Sequence, residues 1–542
     1  MSQQKFARTL GWIVCGLGVS YLPAVASANP SSVGEGGIEA LKLHSAPYNL
    51  TGRKIAIAQV EIGRPPQFGL DKAASLHRIV SLAQAFYQNN PAKANSLVDG
   101  HAAMVAGVMI GNDKALPGVA PSARLYSTAI GSSKRNAQPE QCLSTQFVAQ
   151  QNGGDVRAIN FSFGEPLERD PRPNPVLDGN ALLTQCIDWS ARVHNVLYAI
   201  AGNQGKGGIP IPTDNFNGMT VAYTTRREGI FTKVDFPNLS QKPVGVARRL
   251  MDREINVGPR RQISLVAPGA NIDLYDLEGK VTKVSGTSFA APHVTASVAL
   301  LQELGDRVLS NQLGNKIAAQ PPWSIDSRRH EVMKAVLMNS AEKIKDSGDG
   351  LNLGMSRTIL TKDNYDWLNL DAHSDRKVPL SYQMGTGQLN AFRAYQQFSP
   401  GQWSPDRAVP PIAWDYRTLN KASAFQDYVL EQPLQQGSFV SVSLAWDRLV
   451  ELQDRDNNEQ YDIGESFRDR GLNNLDLYLM RVEDNDISQS LWSSESDVDS
   501  VEHIFSKIPT TGRYKIRVYF RQQVHEDNQP YALAWWSVPA RN

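Results

Sequence analysis

Hydrophobic positions follow two different periods along the chain. Up to about residue 398, apolar residues come in short blocks ended by turn signals. Arg53 to Gly63 carries Ile55, Ile57 and Val60 and closes on a glycine. Such a run predicts a buried strand of an α/β sheet. From Phe289 to Leu304 the residues are mostly Ala, Val and Leu without an interior glycine, which predicts a helix. Pro292 is expected in its first turn, where a missing N–H costs little. After Phe398-Ser399-Pro400-Gly401 to Pro411, a polar, proline-containing stretch, the period becomes two. Val440, Val442 and Leu444 alternate with serines; Tyr514, Ile516, Val518 and Phe520 alternate with Lys515, Arg517 and Tyr519. Asn474 to Leu479 and Pro530 to Trp535 add further runs. Half-buried antiparallel strands of this kind predict a β-sandwich.

The predicted helix begins beside a serine. Val284-Ser285-Gly286-Thr287-Ser288 is a glycine-containing turn that hands Ser288 to a helix N-terminus. Unpaired N–H groups and the positive end of the helix dipole gather there and favour developing negative charge. A serine so placed can attack a carbonyl and help hold the resulting oxyanion. Read alone, a serine before an apolar run is a helix cap.

The longer string Gly286-Thr287-Ser288-Phe289-Ala290-Ala291-Pro292-His293-Val294 resembles the nucleophile motif of the subtilases, the subtilisin-like serine peptidases. The resemblance continues in family order. His101 and Val105-Ala106-Gly107 match the histidine motif, with Ala102, Ala103 and Met104 replacing its middle. Ala158-Ile159-Asn160-Phe161-Ser162-Phe163-Gly164 is similar to the strand that pairs with substrate. Ala201-Gly202-Asn203-Gln204-Gly205 is similar to the turn bearing the oxyanion asparagine, and Ala267-Pro268-Gly269 precedes the nucleophile as in the family. Gly118 to Leu125, Val332 to Ala341 and Gly385 to Ala391 extend the likeness, which runs from 48 to 398.

The resemblance implies a doubly wound, mostly parallel sheet with helices on both faces, followed by a jelly-roll-like sandwich. It implies a serine endopeptidase with Ser288 as nucleophile, His101 as base and Asn203 as oxyanion donor, and a substrate wall of Ser162, Phe163 and Gly164. The family's strand-end Asp is replaced by Glu61 in Glu61-Ile62-Gly63. Glu keeps the carboxylate and adds a methylene. Asp71 and Asp99 are the alternative carboxylates, Asp99 reading more as a local cap or turn residue. Glu165 would favour a basic substrate side chain if it faced the pocket. The chemistry needs no cofactor. A catalytically inactive binding or scaffold protein is the rival reading, motivated by Glu61 and by residues 102 to 104. A lipase or esterase reading lacks the G-x-S-x-G elbow.

Composition adds bounds. At 542 residues there is room for several domains, and a net charge of +1 does not point to a nucleic-acid partner. Lys5 and Arg8, an apolar Leu10 to Val25 and Ala26-Ser27-Ala28 read as a cleaved export signal, leaving no stable membrane span. The expected organisation is signal 1–28, a short irregular segment 29–47, peptidase domain 48–398, linker 399–411 and sandwich 412–542. With so short a segment after the signal, no long pro-segment is expected. The partner is a protein or peptide substrate. Cys142 and Cys186 either form a disulfide or stay as separate buried thiols. Asp454, Asp456, Asn458, Asp462 and Glu465 repeat the oxygen spacing of a calcium loop, with Glu459 where such loops use glycine. They stand as candidate ligands of a structural calcium ion, or as a solvated acidic loop.

Overall fold

Strand Ala56–Glu61 lies inside a sheet and is flanked on both sides by parallel neighbours, Arg124–Ala129 and Val156–Phe161. The computed structural model describes residues 32–76, 79–131, 136–202, 211–234, 258–314 and 323–541. Residues 1–28, expected from the sequence to be an export signal, lie outside the described residues. The sheet is ten-stranded, and Val156–Phe161, Leu197–Ala201, Met219–Arg227 and Ile263–Pro268 continue it in parallel.

The continuous apolar runs have a simple cause. The strands Ala56–Glu61, Val156–Phe161, Leu197–Ala201 and Ile263–Pro268 are buried along their whole length, covered on both faces. Ile57, Leu197 and Ala199 pack with Val105, Val294 and Val336, which sit on helices Gly100–Ile110, Thr287–Gly314 and His330–Asn339. Ala58, Val60, Tyr198 and Ile200 face the other way, onto Val148 and Ile187 of helices Gln138–Ala149 and Leu182–His194. Alternate residues serve opposite cores, so neither face tolerates a polar stripe. This is the doubly wound architecture the sequence predicts.

Residues 412–541 form the sandwich. Numbering its eight main strands in chain order, one sheet runs first, eighth, third, sixth and the other second, seventh, fourth, fifth. That is the wiring of a jelly roll. The first and last strands, Ile412–Asn420 and Asn528–Trp536, pair along nine residues each. A separate hairpin, Leu449–Gln453 with Ser466–Gly471, projects from it.

The two units share one core. Helix His330–Asn339 is buried at every residue, and Trp414, Ala445, Ala532 and Ala534 of the sandwich join the apolar cluster beneath it. The seam also holds polar groups. Asn339 Oδ1 accepts from Ser441 Oγ at 2.9 Å, and Gln397 Nε2 donates to the carbonyls of Ala413 and Trp535 at 2.9 Å each. His330 Nε2 lies 3.0 Å from Asp447 Oδ2 and its Nδ1 lies 3.1 Å from Glu331 Oε2. Arg448 Nη2 meets Asp188 Oδ2 at 2.8 Å with both side chains out of water. Removing one member of such a pair typically costs about 3–5 kcal/mol, because the other charge is stranded.

The projecting hairpin lands on helices Gln138–Ala149 and Leu182–His194. Cys142 and Cys186 tie those helices together as a disulfide, inside a cluster with Trp189, Val450 and Tyr461. The bridge spans 44 residues of sequence, for which the chain-entropy model gives about 4 kcal/mol. The double variant Cys142→Ala/Cys186→Ala should therefore unfold at a lower midpoint than the parent in thermal melts. Reductant should lower the parent's midpoint and leave the variant's unchanged.

Candidate active site

The site lies at the carboxyl ends of the parallel strands, where an α/β sheet gathers its loops. Glu61 is the last residue of the first strand and is buried. Gly63 then lets another segment come close. A side chain there would meet Asp99 Cβ at 2.3 Å, and the chain at 97–99 pairs with Arg64 through two backbone hydrogen bonds. Asp99, thus placed, caps helix Gly100–Ile110 by accepting from the Ala102 N–H at 2.8 Å. His101 follows as the second residue of that helix.

The imidazole and the carboxylate meet. His101 Nδ1 lies 3.4 Å from Glu61 Oε2, with Glu61 almost fully covered and His101 part-exposed. Burial opposes the imidazolium, but the hydrogen bond and charge of Glu61, with the charge of Asp99, carry His101 above the ordinary histidine value. Burial also lifts the Glu61 carboxyl above its usual range, against the pull of His101. Glu61 Oε1 has no hydrogen-bond partner among the described residues. Asp71 has a different duty. It takes the Arg64 guanidinium at 2.6 and 2.9 Å and the backbone N–H groups of Gln67 and Asn95.

Ser288 is the second residue of the long helix Thr287–Gly314, and Phe289 packs its ring 5.6 Å from that of His101. The approach to it is tight. At Gly269 a side chain would meet Tyr223 Cβ at 2.5 Å and Gly286 O at 2.7 Å. Because the helix begins at Thr287, Pro292 falls in its second turn, not the first as the sequence predicts. Its missing N–H leaves the Ser288 carbonyl without the usual helical donor. Ser162 Oγ takes that place, donating to Ser288 O at 2.9 Å, and Ser288 Oγ donates back to Ser162 O at 3.2 Å. Asn160 Nδ2 in turn donates to Ser162 Oγ at 2.9 Å. Asn160 and Ser162 are readable as a motif; that Ser162 binds Ser288 is not.

Ser162, Phe163 and Gly164 leave the end of strand Val156–Phe161, and Phe163 stacks on Phe161 with centroids 4.5 Å apart. Glu165 is buried and accepts from Gln141 Nε2, so its carboxylate is directed at helix Gln138–Ala149. The expectation of a basic substrate side chain at Glu165 gains no support from that placement. Asn203 lies outside the described residues. Gly202, just before it, accepts from Thr287 Oγ1 at 2.7 Å, so its strand is joined to the residue preceding Ser288. His293 is buried, held near 4 by desolvation and bound to Phe289 O; it is a neutral packing group.

In the sandwich hairpin, carboxylate oxygens of Asp454, Asp456 and Glu465 come within 4.8 Å of one another. Burial and the neighbouring Asp454 carboxylate raise the Asp456 carboxyl. Asn458 Nδ2 donates to Asp462 Oδ2 at 2.7 Å, so these two residues bind each other. Glu459 adopts φ 60°, the left-handed conformation glycine would otherwise supply. The donors are all oxygens, the set calcium prefers.

The Subtilase family model matches residues 70–359. Over 223 residues the chain is 25% identical to Subtilisin DY of Bacillus licheniformis, covering 41% of this chain and 70% of that protein. It is 23% identical over 282 residues to Subtilisin Savinase of Lederbergia lenta, covering 52% and 87%. A solved cold adapted subtilisin-like serine proteinase aligns at 19% identity with a TM-score of 0.36, over 57% of this chain and 89% of that one. The family model covers more than half of the 542 residues, and the chain belongs to the subtilase family of serine peptidases.

Proposed function

We propose that the protein is an exported serine endopeptidase whose acyl transfer is run by Ser288, His101 and Glu61. The observation that carries the reading is the buried Glu61 carboxylate against His101 Nδ1. A carboxylate there holds the ring in the tautomer whose Nε2 is free to take a proton, and stabilises the imidazolium that results. His101 takes the proton of Ser288 Oγ as it attacks the peptide carbonyl. The Ser288 N–H, at the helix start, and the Asn203 amide receive the oxyanion. The acyl-enzyme forms as the amine leaves with the proton from His101. Water then releases it by the same route.

Ser162 to Gly164 would pair with the substrate as an added strand, reading main chain and leaving side chains to pockets. Ser288 Oγ donates a hydrogen bond to Ser162 O before substrate binds; hydrogen bonds of this class commonly realign in the Michaelis complex. Export rests on the N-terminal sequence. No helix among the described residues is long and apolar enough to cross a membrane. We also propose that the loop 454–465 holds a structural calcium ion through Asp454, Asp456 and Glu465, with Asn458 and Asp462 beside them.

Three measurements test this. A fluorophosphonate probe should label the purified protein at Ser288. Ser288→Ala should take no label and lose kcat on the order of 10^6-fold, as nucleophile removal does in such triads. An unlabelled parent indistinguishable from Ser288→Ala favours the inactive scaffold. The pH profile of kcat/KM should fall on the acid side at a pH above the ordinary histidine value of about 6.5, because His101 is held charged there and a charged base is idle. Glu61→Gln removes the main cause of that shift, so the acid limb should move down and kcat should drop by about 10^4. A wild-type rate in Glu61→Gln would remove Glu61 from the triad. Calcium should raise the thermal midpoint in a concentration-dependent way, and chelator should reverse it. Asp454→Asn with Glu465→Gln should abolish the response; a parent insensitive to calcium excludes the site.

A further inference from the structure

The proposed substrate wall ends in a charged residue that the reaction does not use. Glu165 directly follows Gly164, and only 2% of it is exposed. A carboxylate so buried requires partners. Its Oε2 accepts from Gln141 Nε2 at 3.0 Å, and Arg169 Nη1 lies 3.5 Å from its Oε1. Its main chain exchanges two hydrogen bonds with Ile211, at 2.9 and 3.2 Å. The wall is thus pinned at its far end from two directions.

Gln141 stands on a helix with little freedom of its own. The neighbouring residue, Cys142, bridges to Cys186 on helix Leu182–His194. Little more than a turn further on, Gln146 is buried, and its amide makes two hydrogen bonds to the backbone of Tyr461 in the sandwich hairpin. It accepts from the Tyr461 N–H at 2.7 Å and donates to the Tyr461 carbonyl. One helix therefore touches the wall on one side and the second domain on the other. None of Gln141, Gln146 or Tyr461 belongs to the motifs that mark the family here.

We propose that Gln141 is a positioning residue for substrate: it fixes the Ser162–Gly164 wall through Glu165, while the sandwich fixes the helix of Gln141 through Gln146. The proposal rests on the peptidase reading above. A peptide added as a strand binds only where the receiving N–H and C=O groups keep their register. A wall free to drift weakens ground state and transition state alike, which raises KM and spares kcat.

Gln141→Glu sets a second carboxylate against Glu165 in a buried place, where like charges repel strongly. It should raise KM for an extended peptide about tenfold and hold kcat within about twofold. Adding Glu165→Gln restores one amide and one carboxylate in exchanged places, and KM should return to within about twofold of the parent, the signature of direct coupling. Gln141→Leu serves where Gln141→Glu does not fold, and should move KM in the same direction. Amide hydrogen exchange across residues 160–166, faster in Gln141→Leu than in the parent, reads the restraint without turnover. Unchanged KM or unchanged exchange in Gln141→Leu overturns the proposal, as does a double variant no better than Gln141→Glu. Absent fluorophosphonate labelling of the parent would sink the peptidase reading alone, and the exchange measurement would still decide for or against Gln141.

Discussion

A proline has no N–H to give, and at position 292 that single omission joins two parts of the site. In an unbroken helix the Ser288 carbonyl would be closed off by the residue four places on. Pro292 leaves it open, and Ser162 Oγ reaches it from a different strand. The reciprocal bond from Ser288 Oγ to Ser162 O completes a two-way clasp between the serine turn and the wall strand. Both acceptors are backbone carbonyls, held by the sheet and the helix behind them, and both donors are serine hydroxyls. Asn160, one strand repeat earlier on the same face, fixes the Ser162 hydroxyl and extends the clasp into the core.

The Glu at position 61 sits in surroundings adjusted to it. It is longer than the aspartate of the family pattern, and it meets His101 at 3.4 Å. The histidine helix opens with small residues, Ala102 and Ala103, both buried. Asp99 caps that helix and adds its charge to the pair. Gly63 permits the close crossing that delivers Asp99 and His101 together. Strand end, crossing and cap together bring the carboxylate and the imidazole to 3.4 Å.

What the sequence made legible has a physical reason. Two-sided strands leave near-continuous apolar runs, and the turns after them need small or polar residues at fixed places; both marks survive in one sequence. The alternation after residue 412 likewise announced the sandwich. The seam between the units was not legible. His330, Glu331, Lys334 and Asn339 are polar, yet they are buried because partners such as Asp447, Ser441 and the carbonyl of Phe216 arrive from far along the chain. The direction of Glu165 was hidden for the same reason, since Gln141 lies on a different element. The pairing of Cys142 with Cys186, open from spacing alone, is closed by the adjacency of two helices. Pro292 lies in the second turn and not the first because the helix starts two residues before Phe289, at Thr287.

The wiring of the jelly roll sets an order of events. Strand Asn528–Trp536 lies between the first and third strands of its sheet and presses on helix His330–Asn339. It is also the last of the eight sandwich strands in chain order. Until a ribosome has passed residue 536, the sheet has a gap at its centre and the helix has an uncovered flank. A nascent chain can therefore assemble the α/β layers early, but the two halves become one body only after residue 536 has been made.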